Sequence, residues 1–84
     1  MHQTQTIPLS QAPEGRPLKL VEINAGRRLK YRLAEMGLTA GVEMTILQKA
    51  GGPLLVCVRD SRVAIGRGMA QKLMVSISED GGAP

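Results

Sequence analysis

The stretch Arg27–Ile46, RRLKYRLAEMGLTAGVEMTI, decides the fold. Leu29, Leu33 and Met36 recur at steps of four and three, the spacing of one helical face. Gly37 follows where a helix stop calls for a left-handed residue, a conformation glycine adopts at little steric cost. Leu38 then occupies the position that folds back onto the last turn, here onto Leu33. Thr39-Ala40-Gly41 supplies a turn, with Gly41 suited to a positive φ. Val42, Met44 and Ile46 alternate with Glu43 and Thr45, the pattern of a half-buried strand. The stretch therefore predicts a helix, a glycine stop, a tight turn and a strand that meet at one hydrophobic corner.

Outward from this corner the elements are short. Leu18–Ile23 reads as the first strand, with Leu18, Leu20 and Glu22 on one face and Lys19, Val21 and Ile23 on the other. That alternation is poor and implies that both faces are partly covered. Asn24-Ala25-Gly26 leads into the helix, with Asn24 or Gly26 as N-cap. Upstream, Ile7, Leu9 and Ala12 predict a short turn, because Pro8, Pro13 and Gly15 prevent a longer element. Downstream, Lys49–Pro53 is a loop, and the apolar run Leu54–Val58 is a strand. Asp60-Ser61 turns it into a hairpin with Val63–Ile65. Gly66 and Gly68 mark one irregular turn, and Leu73, Val75 and Ile77 form the last strand. The expectation is a mainly β domain: about five strands closed into a small barrel, a helix between the first and second, and a helical turn before the last. Residues 1–6 and 79–84 are expected to be flexible ends around a domain spanning 7–78.

Composition narrows the class. With 84 residues, no Phe or Trp and Tyr31 as sole aromatic, the core must be Leu, Val, Ile and Met. Cys57 is the single cysteine, so no internal disulfide forms, which fits a reducing compartment. Neither a secretory leader nor a membrane-length apolar run is present, so a soluble cytoplasmic protein is expected. Net charge is +4, but unevenly placed: residues 16–72 hold all eleven Lys and Arg against Glu22, Glu35, Glu43 and Asp60, a local excess of seven. Such a domain suits an acidic protein, a nucleic acid or an anionic membrane surface, or simply stays soluble by charge.

Two segments, Arg32–Leu47 (RLAEMGLTAGVEMTIL) and Val63–Val75 (VAIGRGMAQKLMV), together resemble the ferrous-iron transport protein A (FeoA) family. Leu9-Ser10, Gly15 and Leu18–Ile23 fit its opening, so the resemblance spans roughly residues 7–77. Ala40 departs from it, since the family commonly has proline before this glycine. The resemblance implies an SH3-like barrel and a cytoplasmic helper of a membrane ferrous-iron transporter that carries a GTPase domain (the FeoB type). Barrels of this kind also form the C-terminal domains of metal-dependent repressors, which leaves a metal-responsive, nucleic-acid-associated or transition-metal-binding module as the alternative.

The residues themselves point to no enzyme. His2 is the only histidine, Cys57 lies mid-strand, the carboxylates are scattered and no serine has a histidine partner placed by a motif. The same shortage argues against a resident iron or zinc site: His2 and Cys57 are the weak candidates, for adventitious divalent metal only, with Cys57 expected to pack inside the barrel. Gly66-Arg67-Gly68 lacks the Gly-Lys-Ser/Thr of a phosphate loop. Nucleic acid is not expected, because one tyrosine is a poor stacking platform. The candidate partner surface is Arg27, Arg28, Lys30 and Tyr31. Arg27 and Tyr31 fall opposite the apolar stripe, with Arg28 and Lys30 on its flanks. Cations at a helix N-terminus oppose the macrodipole, and such a breach of a local rule is a place to look for function.

Overall fold

The structure, a computed structural model, describes residues 5–77. The expected flexible ends fall largely outside that span, as does His2, although Thr6 already belongs to a strand. The element order is β1 (Thr6–Pro8), a 3₁₀ turn (Leu9–Gln11), β2 (Leu18–Ile23), α1 (Arg27–Glu35), β3 (Glu43–Gln48), β4 (Leu54–Val58), β5 (Ser61–Ile65), α2 (Arg67–Ala70) and β6 (Leu73–Ile77). All pairings are antiparallel, in the order β1-β6-β2-β3-β4-β5.

The domain is mainly β, as expected, with six strands rather than five. The additional one is β1, where the prolines suggested only a turn. Three residues suffice to pair Thr6–Pro8 with Met74–Ser76 at the sheet's edge, a place that tolerates proline. The sheet does not close: among the described residues β5 pairs only with β4, and β1 only with β6. "Barrel" is therefore a loose word for it. One nine-residue helix and one of four residues are too little cover for a flat sheet, so curling of the sheet must enclose much of the core. That core gathers Leu18 and Leu20 of β2, Met44 and Ile46 of β3, alternate residues of β4 and Leu73 and Val75 of β6 around Leu9, Leu33 and Leu38.

The helix stop follows the backbone logic of its sequence. Gly37 takes φ 89°, and its N–H donates to the Ala34 carbonyl at 2.9 Å while the Leu38 N–H donates to the Leu33 carbonyl at 2.9 Å. These two bonds satisfy carbonyls that a helix end would leave open, and they seat Leu38 fully in the core. Met36 departs from expectation. It is the C-cap, at φ −94° and ψ 6°, so it leaves the helical wheel and is 44% exposed. Gly41 takes φ 95°, and its N–H donates to the Leu20 carbonyl at 2.7 Å, which ties the turn to β2.

A register shift explains the poor alternation of β2. Leu20 pairs with Val75 and Glu22 with Met74, so Val21 is an extra residue of β2 and is left outside. The shift returns Ile23 to the side of Leu20, opposite Leu73. In the same way Leu47 is the extra residue between the Ile46–Val56 and Gln48–Leu55 pairs, and it is exposed.

Further along, Val58 pairs with Ser61, so the hairpin turns on Arg59-Asp60 instead of Asp60-Ser61, with Arg59 at φ 57°. Strand β4 buries Leu54, Val56 and Val58, which places Cys57 half-buried on the other face, its thiol 3.6 Å from the Arg59 carbonyl. The expectation that Cys57 packs inside is therefore overturned. Gly66 and Gly68 make no special turn: Gly66 is the N-cap of α2 at φ −63°, and Gly68 lies within that helix. A Cβ at Gly68 would meet nothing within 4 Å. Gly68→Ala should therefore stabilise the fold by about 0.4–1 kcal/mol, read as a higher urea midpoint with an unchanged slope.

Candidate partner-binding groove

Arg27, Lys30, Tyr31 and Ala34 stand at i, i+3, i+4 and i+7 of α1, and so share one helix face. Leu33 of the same helix is 1% exposed and fixes α1 against the core, which turns that face toward the outer end of β2. The start of α1 is held as well, because the Asn24 N–H donates to the Lys72 carbonyl at 2.7 Å. Between helix and strand lies a groove of about 560 Å³, lined on one side by the α1 face and on the other by Val21, Glu22 and Ile23, with Leu38, Thr39 and Ala40 closing the end. The bulge in β2 leaves Val21 42% exposed there, and Tyr31 is 69% exposed. Leu38 is buried and Ile23 half-buried, so apolar surface forms the floor, while Arg27 and Lys30 are exposed and form the rim, with Glu22, also exposed, the one carboxylate in the lining.

Of the four candidate residues the structure thus brings three together: Arg27, Lys30 and Tyr31. Arg28 does not line the groove; it sits at helical spacing with Arg32 on another face of α1. Sequence reasoning missed Val21, Ile23 and Ala34. Ala34 was within reach, because extending the Arg27–Tyr31 face by one turn arrives at it. Gly26 caps α1 without a side-chain hydrogen bond, and the first turn holds no acidic residue. The cations there gain nothing from the helix dipole.

Other cations are committed to structure. The Lys49 ammonium donates to the Ala12 carbonyl at 2.8 Å, and the Arg67 guanidinium donates to the Lys49 carbonyl at 3.1 Å. Together with the Lys49 N–H bond to the Glu14 carboxylate at 2.8 Å, they tie the β1–β2 segment, the β3–β4 loop and α2 together. A second cleft, between the α1 C-terminus and the β4–β5 hairpin, is lined by Met36, Val63 and Ala64 with Arg59 and Arg62. Among the described residues no three of His, Cys, Asp and Glu converge on a point that could hold a metal ion, and no helix is long and apolar enough to cross a membrane.

A family described as the FeoA domain matches residues 7–77. A relative described as a candidate Fe(2+) transport protein A, from Methanocaldococcus jannaschii, is 37% identical over 75 residues, which is 89% of this chain and 92% of that one. A crystal structure of an iron uptake regulatory protein, FeoA, superposes with a TM-score of 0.80 at 34% identity, over 88% of this chain and 99% of that one. A manganese-dependent transcriptional repressor superposes with a TM-score of 0.79 over 92% of this chain but 44% of its own, at 18% identity, a likeness of fold alone. The open, six-stranded sheet is thus an SH3-like fold shared by both groups. The family match takes in nearly every described residue, the groove's two walls and the Met-Gly-Leu stop included, and on that ground this chain belongs to the FeoA family of ferrous-iron transport proteins.

Proposed function

We propose that the chain is an accessory protein of ferrous-iron transport that acts on the cytoplasmic side by docking onto the GTPase domain of a membrane Fe(II) transporter of the FeoB type. Family membership supports the transport role. The observation that carries the docking role is the groove: an exposed tyrosine and two cations gathered on one helix face beside uncovered apolar surface. Tyrosine and arginine are favoured interface anchors. The role is read as non-enzymatic because family membership supports a transport accessory protein. The GTP chemistry would then reside in the partner.

The reading is tested by ferrous-iron uptake in cells that lack this chain but keep the transporter. Uptake should slow, recover with the wild-type chain, and fail to recover with a Tyr31→Ala, Arg27→Glu variant. Uptake indifferent to the loss of the chain would contradict it. The fold should also need no metal: chelator added before a thermal melt is expected to leave the midpoint unchanged, whereas a fall of several degrees would reveal a structural site.

A further inference from the structure

We propose that the groove between α1 and β2 holds an acidic segment of the partner, with one apolar side chain seated on the floor and flanking carboxylates against Arg27 and Lys30. This deepens the docking role given above and rests on it.

Three features fix the occupant's chemistry. The volume, about 560 Å³, lies in the range of roughly 300–1,000 Å³ typical of ligand clefts. The groove is open to solvent along its length, so a segment can lie across it without rearrangement of its walls. The floor is apolar, and both Val21 and Tyr31 stand partly in water beside it, so an aliphatic or aromatic anchor covers more of this surface than a polar one. The rim is net cationic, Arg27 and Lys30 against Glu22, and among the described residues no side-chain hydrogen bond joins Arg27 or Lys30 to a carboxylate. Helix α1 as a whole carries Arg27, Arg28, Lys30 and Arg32 against Glu35 alone.

The same charges disfavour a second copy of the chain. A twofold contact through this face would set cationic rims against each other, within a span that already carries an excess of seven positive charges. Nucleic acid would satisfy the rim but not the floor, where Tyr31 is the one aromatic.

The test uses the full chain, isotope-labelled for amide NMR, and three capped peptides of equal length: a Leu-Phe pair flanked by Asp and Glu, the same pair flanked by Lys, and an acidic peptide with Ser in place of Leu-Phe. The first should shift the amides of Val21, Ile23, Lys30, Ala34 and Thr39, and bind at least about tenfold more tightly than either of the others. Ala34→Trp, which fills the floor from an exposed helix position, should keep the wild-type melt, abolish those shifts and weaken binding of the intact GTPase domain by at least about tenfold. Equal binding of the three peptides overturns the proposal, as do shifts centred on the Arg59–Ala64 cleft, or groove shifts produced by phosphatidylglycerol vesicles or oligothymidine and not by the acidic peptide. Self-association through the groove on concentration would likewise overturn it in favour of a second copy. If the GTPase domain binds Ala34→Trp as well as wild type, the groove assignment falls while the docking role stands. If the domain does not bind the wild-type chain, both fall.

Discussion

Leu33→Ala should lower the melting temperature by on the order of 10–30 °C, the largest effect expected of a single substitution in α1. Leu33 is the one fully buried residue of that helix, packed into the core that the curled sheet encloses. Truncating a buried leucine costs about 2–5 kcal/mol, partly from lost transfer energy and partly from the cavity left behind. Nine residues are also too few to hold a helix without tertiary packing. The loss should therefore appear as reduced helical circular dichroism before the sheet melts. Tyr31→Ala, two residues away on the exposed face, should change stability by no more than about 0.5 kcal/mol. A thermal melt in which the two variants behave alike would mean that the helix is not anchored through Leu33.

Gly37→Val should cost on the order of 1–3 kcal/mol, and the cause is torsional. A Cβ at this position would lie 3.8 Å from a Val58 methyl group, an ordinary contact, so space is not the obstacle. The obstacle is φ 89°, which a β-branched residue resists. Gly37→Asn should accordingly cost clearly less than Gly37→Val, because asparagine tolerates left-handed backbone. If the two cost the same in denaturant melts, bulk and not torsion governs the site. Gly41→Val is expected to follow the same rule, with φ 95° and nothing within 4 Å of the added Cβ. Loss at either glycine would loosen the turn that closes one end of the groove.

How far the fold could be read depended on how local each cause was. The Gly37 stop was legible because its hydrogen bonds span only a few residues of chain. The half-buried pattern of Val42–Ile46 was legible because each residue alternates without interruption. Strand β2 was not, because its alternation breaks at Val21, and the reason is the register of a partner strand fifty residues later. Strand β4 hid the placement of Cys57 in another way: LLVCV is apolar throughout, so only the observed pairing tells inside from outside. Met36 misled because it keeps helical spacing in sequence while its backbone has already left the helix. The number of strands and the open edge depended on pairing at a distance, which a three-residue segment bearing proline does not announce.

The candidate site divided along the same line. One wall could be read, since Arg27, Lys30 and Tyr31 share a helix face by spacing alone. The opposing wall could not, since Val21 faces outward only through the bulge. Arg28 was grouped with the others as a flanking cation near the helix N-terminus, but helical spacing sets it about 100° from Arg27 around the axis and it does not line the groove.

That separation supplies the most direct test of the central claim, that partner binding resides in the groove face of α1. Two double variants change the net charge equally: Arg27→Glu with Lys30→Glu on the groove, and Arg28→Glu with Arg32→Glu away from it. Arg27, Arg28 and Lys30 lie in the first four positions of α1, where acidic replacements suit the macrodipole, whereas Arg32 lies in its last turn, where one does not; the second pair should therefore be the less stable, with neither losing more than about 1 kcal/mol. Calorimetric titration of each against the transporter's GTPase domain at low salt then isolates position from charge. The account predicts at least about a tenfold loss of affinity for the groove pair and less than about threefold for the other. Equal losses for the two pairs, or undiminished binding by the groove pair, would contradict it.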